Sequence, residues 1–123
     1  MIVNIKTHEL SPDITAMTFT GRLIRGNKWN DVEFVIRERI KQGLRNLVLD
    51  FSELNYIDSA GIGFVAVCIG LIEQQGGKLA ISGAAGQVKQ LLTMTHLDHT
   101  VGIYPDIPSA QRALSEPAAP TQA

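Results

Sequence analysis

The side chains whose type invites chemistry are three histidines, one cysteine and a serine that follows an aspartate. His96 and His99 stand three residues apart, as two ligands of one metal ion can, but no third ligand of suitable spacing accompanies them, and His8 is remote in the chain. No metal site is expected, and the histidines read as surface residues. Ser59 lacks a G-x-S-x-G elbow, because Ile57 takes the place of the first glycine, so a hydrolase nucleophile is not expected. Two glycine-bearing turns, Gly61-Ile62-Gly63 and Gly83-Ala84-Ala85-Gly86, fall where backbone amides at a helix start can cradle phosphate. Neither completes a phosphate-binding fingerprint, so a nucleotide-sensing module stays an alternative, with tight turns and close packing as the plainer reading. No cofactor and no catalysis are expected.

Asp58-Ser59 carries more information. Either residue is a good N-cap, able to contribute about 1 kcal/mol by accepting from the free amides of a helix start, and the pattern alone favours that reading. The other reading is a modification site. A phosphoserine adds about 1.5 to 2 negative charges, which Asp58 and any acidic partner would repel, so it can switch an interface without changing the fold.

Composition narrows the partners. The chain has 123 residues, 45% of them hydrophobic and 19% charged, which suits one folded domain. Eleven basic residues against twelve acidic ones leave a net charge of -1, without the positive field that holds nucleic acid or an anionic membrane. Cys68 is the sole cysteine, so an internal disulfide is excluded and a reducing cytoplasm is expected. The longest uncharged apolar stretch, residues 60–72, is shorter than the roughly twenty residues that a spanning helix needs, and no signal segment is read at the N-terminus.

Several elements must position these residues. Ile2, Val3 and Ile5, then Ile14, Ala16, Met17 and Phe19, predict two strands of a hairpin turned at Ser11-Pro12-Asp13. Gly21 and Gly26 bracket an irregular link. Trp29, Val32, Ile36 and Ile40 recur at helical spacing, predicting an amphipathic helix that ends at Gly43. Leu47-Val48-Leu49 predicts a short central strand, with a loop through Tyr56, Ile57 and Asp58 leading into a helix to about Gln75. Lys78 to Ser82 reads as a strand, Val88, Leu91 and Leu92 as a short helix, Val101 and Ile103 as a last strand, and a final helix begins near Pro108. Alternating strands and helices make this an α/β chain whose sheet has a parallel part.

The helix after Ser59 has two apolar stripes. Ile62, Val65, Ala66, Ile69 and Ile72 form one, and Phe64, Val67, Cys68 and Leu71 the other. One sheet cannot cover both, so the second faces a neighbouring helix or a partner protein.

In its motifs the chain resembles the STAS family, in particular the small single-domain bacterial anti-sigma-factor antagonists. The resemblance rests on Asn46-Leu47-Val48-Leu49-Asp50-Phe51-Ser52, Tyr56-Ile57-Asp58-Ser59-Ala60-Gly61-Ile62-Gly63, Gly76-Gly77-Lys78-Leu79-Ala80-Ile81-Ser82-Gly83, and Val88-Lys89-Gln90-Leu91-Leu92 with His96-Leu97. It runs from about residue 3 to residue 115. It implies a mixed sheet of about five strands with about four helices packed mainly on one face, in a domain over residues 1–115; the small and proline residues that follow, with nothing to anchor them, are expected to form a flexible tail over 116–123. It also implies partner switching without catalysis: the unphosphorylated protein binds a serine kinase that doubles as the anti-sigma factor, phosphorylation at Ser59 ends that binding, and a PP2C-type phosphatase restores it. Asp58, Ser59, Ala60, Gly61 and Ile62 then form the kinase-facing surface of a cytoplasmic monomer or weak homodimer. Many antagonists carry G-x-[LI]-D after the second strand, where this chain reads Gly21-Arg22-Leu23-Ile24-Arg25-Gly26. Arg22 and Arg25 are therefore assigned to the partner surface, where they would select an acidic patch. Their presence leaves room for a regulatory subunit of a transporter or of a stress-signalling complex.

Overall fold

Polar residues at the Ser11-Pro12-Asp13 turn fold the first two strands onto each other, the Ser11 hydroxyl donating to Asp13 Oδ1 at 2.9 Å. The computed structural model describes residues 3–26 and 29–115; the expectations for Ile2 and for a tail over 116–123 lie outside them. Strand β1 (Val3–Ser11) pairs antiparallel with β2 (Ile14–Leu23). Helix α1 (Trp29–Lys41), strand β3 (Asn46–Ile57), helix α2 (Ser59–Gln74), strand β4 (Leu79–Ser82), helix α3 (Gly86–Met94), strand β5 (Gly102–Tyr104) and helix α4 (Ile107–Ser115) follow. The five strands lie in sequence order, and β2 through β5 are parallel. Parallel neighbours need crossovers, which α1, α2 and α3 provide.

Strand alternation sorts the core into two layers. Met17 and Phe19 of β2, Leu47, Leu49 and Phe51 of β3, and Leu79 and Ile81 of β4 pack with Ile36 of α1, the buried stripe of α2, and Val88 and Leu92 of α3. Ile14, Ala16, Val48 and Ala80 point the other way and meet Ala110 and Leu114 of α4. Three helices thus cover one face of the mixed sheet and one covers the other. The small side chains Ala16 and Ala80 let a nine-residue helix close that second layer. Among the described residues no helix is long and apolar enough to cross a membrane.

Two elements run further than their sequence patterns predict. The apolar run at residues 47–49 predicts a short strand, yet β3 continues to Ile57, because β2 also extends past Phe19 and supplies partners along the way. The link expected at Gly21 is strand. Pairing keeps going across two register shifts, one between Thr18 and Thr20 and one between Gly21 and Arg22, and the second coincides with the positive φ of Gly21, 110°. Strand propensity is weak in Ser52-Glu53-Leu54-Asn55, and tertiary pairing overrides it. The added length sets Arg22 beside Tyr56 and Leu23 beside Ile57, which brings the β2–α1 loop to the start of α2.

Of the two stripes on α2, the second is covered mostly by α1. Phe64, Cys68 and Leu71 are buried, and the Trp29 ring stacks on Phe64 with centroids 4.7 Å apart. Burying a phenylalanine is worth about 1.5 to 3 kcal/mol, so this contact fixes α1 against α2 near Ser59. Val67 stays 44% exposed, and Ala66, placed in the first stripe by its spacing, faces solvent.

Candidate functional site

Asp58 organises the junction between β3 and α2. Its backbone is extended, at φ -112° and ψ -175°, and its side chain caps the helix: Oδ1 accepts from the Gly61 amide at 2.9 Å. The other oxygen, Oδ2, accepts from the Arg25 amide at 3.0 Å, while the Asp58 amide donates to the Leu23 carbonyl at 3.2 Å. One half-buried carboxylate therefore ties the β2–α1 loop to the first turn of α2. Desolvation raises its pKa, but the amide hydrogen bonds from Arg25, Gly61 and Ala60, together with the charge of Arg25, outweigh that push and hold it below the ordinary 3.8.

Ser59 is the first residue of α2 and is exposed. Ala60 and Ile62 are half-buried beside it, and Gly61 is buried. A side chain at position 61 would run into the Leu23 carbonyl and Cγ1 of Ile57, so only glycine lets β2 lie this close to the helix start. Arg22 and Arg25 are exposed on the same end of the sheet. Arg22 rests over the half-exposed Tyr56 ring, with its guanidinium carbon 5.3 Å from the centroid. The seven residues that the sequence assigns to a partner surface, Asp58, Ser59, Ala60, Gly61, Ile62, Arg22 and Arg25, are thus brought to one end of the fold. Asp58 is engaged within the molecule, and Ser59 is the exposed group of the pair.

Sequence reading missed a supporting residue. The Gln87 side chain of α3 pairs with the backbone of Ile57, its Oε1 accepting from the Ile57 amide at 3.0 Å and its Nε2 donating to the Ile57 carbonyl at 2.7 Å. This satisfies the backbone N–H and C=O of the last residue of β3, just before Asp58. A single glutamine on a short helix gives no pattern from which that pairing could be found.

A buried polar cluster was also missed. Strand register aligns Thr18, Asp50 and Ser82 across β2, β3 and β4. Asp50, 5% exposed, accepts from the hydroxyls of Thr18 (3.0 Å), Ser82 (2.9 Å) and Ser52 (3.0 Å) and from the Ser52 amide (3.3 Å). His8 Nε2 lies 3.3 Å from Thr18 Oγ1, at the rim. Four donors neutralise the desolvation of one carboxylate, so the cluster joins strands.

The remaining candidates stay apart. His96 and His99 have ring centroids 5.3 Å apart, and no group of three or more His, Cys, Asp or Glu suited to a metal ion occurs among the described residues. Burial, with a smaller contribution from Glu33, pushes the Cys68 thiol up to about 12, which leaves it unreactive. In the second glycine turn Gly83 has φ 73° and lies against the Ser52 backbone, which makes it a close-packing position.

Comparison with known proteins gives a consistent picture. A family model described as the STAS domain matches residues 6–110. A Thermotoga maritima protein named as a candidate anti-sigma factor antagonist is 30% identical over 78 residues, covering 63% of this chain and 69% of that one. A Bacillus subtilis protein named as a candidate sulfate transporter, YvdB, is 26% identical over 106 residues, which is 82% of this chain and 20% of the relative, so this chain spans about a fifth of that protein. The structure of the anti-sigma factor antagonist SpoIIAA in its unphosphorylated form superposes with a TM-score of 0.76 at 15% identity, covering 89% of this chain and 96% of that one. At that identity the likeness concerns the fold.

Proposed function

The chain belongs to the STAS domain family, and from that premise we propose that it is a non-catalytic regulator, an anti-sigma-factor antagonist whose binding is gated by phosphorylation of Ser59. The observation that carries the reading is an exposed Ser59 at the first position of α2, directly after a carboxylate fixed by the Arg25 and Gly61 amides. An exposed hydroxyl on a helix start whose backbone is fixed is accessible to a kinase, which supplies the positioning that phosphoryl transfer requires. In that step the Ser59 oxygen forms a bond to the γ-phosphorus of ATP, ADP leaves and the hydroxyl proton passes to the kinase. The partner is then a serine kinase that is also the anti-sigma factor. A PP2C-type phosphatase restores the hydroxyl by hydrolysis: water attacks the phosphorus, the bond to the Ser59 oxygen breaks, that oxygen takes up a proton and inorganic phosphate leaves. The protein works in the cytoplasm as a monomer or weak homodimer.

The phosphate acts by charge. It adds about 1.5 to 2 negative charges beside Asp58, a carboxylate ionised at neutral pH. An interface pressed against this corner would have to bury both charges, at a cost that exceeds most single contacts.

A second reading has its own support, since the match to a transporter-sized relative covers most of this chain. In it the domain binds a membrane transporter through the same end. A pull-down followed by intact-mass measurement, with and without phosphatase treatment, separates the two. Recovery of a soluble serine kinase only by the dephosphorylated protein, with one phosphate lost on treatment and none acquired by Ser59→Ala, is the expected result. Recovery of membrane components in both states favours the transporter reading, and equal modification of the alanine variant removes Ser59 from its role.

A further inference from the structure

A phosphate at the start of a helix usually finds its counter-charge in the free amides of the first turn. In α2 two of those amides are already used by a carboxylate: Gly61 donates to Asp58 Oδ1 and Ala60 also bonds the Asp58 side chain, while the Ile62 amide closes the first helical bond to the Asp58 carbonyl. The capping group is itself an anion, so phosphate oxygens on Ser59 would meet a carboxylate where many helix starts offer N–H groups. A nearby cation would supply the counter-charge that the capped turn offers only in part. Among the described residues two guanidinium groups stand nearby, Arg22 at the end of β2 and Arg25 in the loop after it; neither forms an ion pair with a described carboxylate, although the charge of Arg25 acts on Asp58.

Their positions differ. Arg22 is committed to the Tyr56 ring at 5.3 Å. Arg25 is exposed, and its own backbone amide lies 3.0 Å from the Asp58 carboxylate, one residue from Ser59 in sequence. An arginine side chain reaches roughly 6 to 7 Å from its Cα, and its planar fork suits two phosphate oxygens. We propose that a phosphate on Ser59 is held by the guanidinium of Arg25 of the same chain, so that phosphorylation masks a positive charge of the partner surface as it adds negative ones. The inference rests on the phosphorylation reading above and deepens it: the switch acts on two charges with opposite signs. A partner with an acidic patch loses its cation and gains a repelling anion together.

The test separates this from the identity of the kinase. Phosphoserine is installed at position 59 during translation in the full chain, and the phosphorus resonance is titrated by NMR in the parent sequence and in Arg25→Gln, Arg25→Lys and Arg22→Gln. Among the described residues the charged groups at this corner are Asp58, Arg22 and Arg25; Asp58 raises the phosphate midpoint in all four proteins alike, so the differences among them carry the result. An opposite charge within a few ångströms favours the dianion, and Arg25→Gln should raise the midpoint by about 0.5 pH unit or more. Arg25→Lys should recover most of that change, and Arg22→Gln should cause little. The bond from the position 25 amide to the Asp58 carboxylate uses no side-chain atom of residue 25 and survives each substitution, which keeps the fold out of question. Equal midpoints in all four proteins, or a rise confined to Arg22→Gln, would overturn the assignment. A kinase that modifies a different serine would instead overturn the choice of Ser59 while leaving this measurement intact.

Discussion

The backbone amide of Arg25 donates to Oδ2 of Asp58 at 3.0 Å, across the gap between the end of β2 and the start of α2. Through this bond and the cap on Gly61, one carboxylate sets both the loop that carries Arg25 and the helix that carries Ser59. Asp58→Ala should therefore cost about 0.5 to 2 kcal/mol in chemical denaturation. Faster hydrogen exchange should appear at the amides of Arg25 and Gly61. Unchanged exchange at both would mean that neighbouring contacts, not Asp58, hold the corner.

The depressed pKa of Asp58 gives the same bond a pH signature. A carboxyl with a folded-state pKa below its unfolded value stabilises the protein at pH above that unfolded value, near 3.8, and loses the contribution as pH falls through the folded value. Denaturation midpoints at pH 5 and pH 3 should fall further in the parent protein than in Asp58→Asn. Parallel losses would assign the acid sensitivity to other carboxylates.

Two glycines in α2 make a matched pair. A Cβ at Gly61 would enter the space of the Leu23 carbonyl, whereas one at Gly63 would meet nothing within 4 Å. Gly61→Ala should destabilise by about 1 to 3 kcal/mol through overpacking. Gly63→Ala should stabilise by up to about 1 kcal/mol, the ordinary gain of alanine over glycine inside a helix. Melting temperatures that move in the same direction for both would show that β2 does not press on the helix start as the geometry requires.

Much of this was legible in the sequence, and the physical reasons mark where it stopped. Helices α1 and α2 announce themselves through apolar spacing, and β4 through a continuous apolar run, because burial imprints a period on the chain. The D-S-A-G motif locates the helix start at Ser59. The extension of β3 to Ile57 leaves no such imprint: residues 52–55 become strand because β2 pairs with them across a glycine bulge, a relation between distant segments. Gln87 is unreadable for the same reason, since its partner is a backbone peptide 30 positions away. The Asp50 cluster lies between these cases. Thr18, Asp50 and Ser82 are polar residues in largely apolar strands, and strand register brings them together.

That cluster makes its own prediction. Ser82→Ala removes one of four donors to Asp50 and leaves the carboxylate buried. The loss should be about 1 to 3 kcal/mol, the cost of a buried acceptor short of a partner. Affinity for the partner should be unchanged once the loss is corrected for, because the cluster joins strands and lies away from the Ser59 corner. A stability change within error would mean that Thr18 and Ser52 suffice.

Arg22 and Arg25 extend the Ser59 surface, and both are exposed. Rim charges act chiefly on the rate of encounter, since long-range attraction steers a partner before contact and salt screens it over about 8 to 10 Å. If the partner presents an acidic patch, Arg22→Glu with Arg25→Glu should slow association at low ionic strength by roughly tenfold or more, and the difference should shrink as salt rises. The melting temperature should change little, because Arg22 loses only an exposed ring contact and the Arg25 backbone bond to Asp58 persists. Phosphorylated parent protein offers an internal comparison: with Arg25 drawn onto the phosphate, its residual association should show the weaker salt dependence of the double variant. Association rates for mutant and parent that coincide at both low and high ionic strength would place this loop outside the interface.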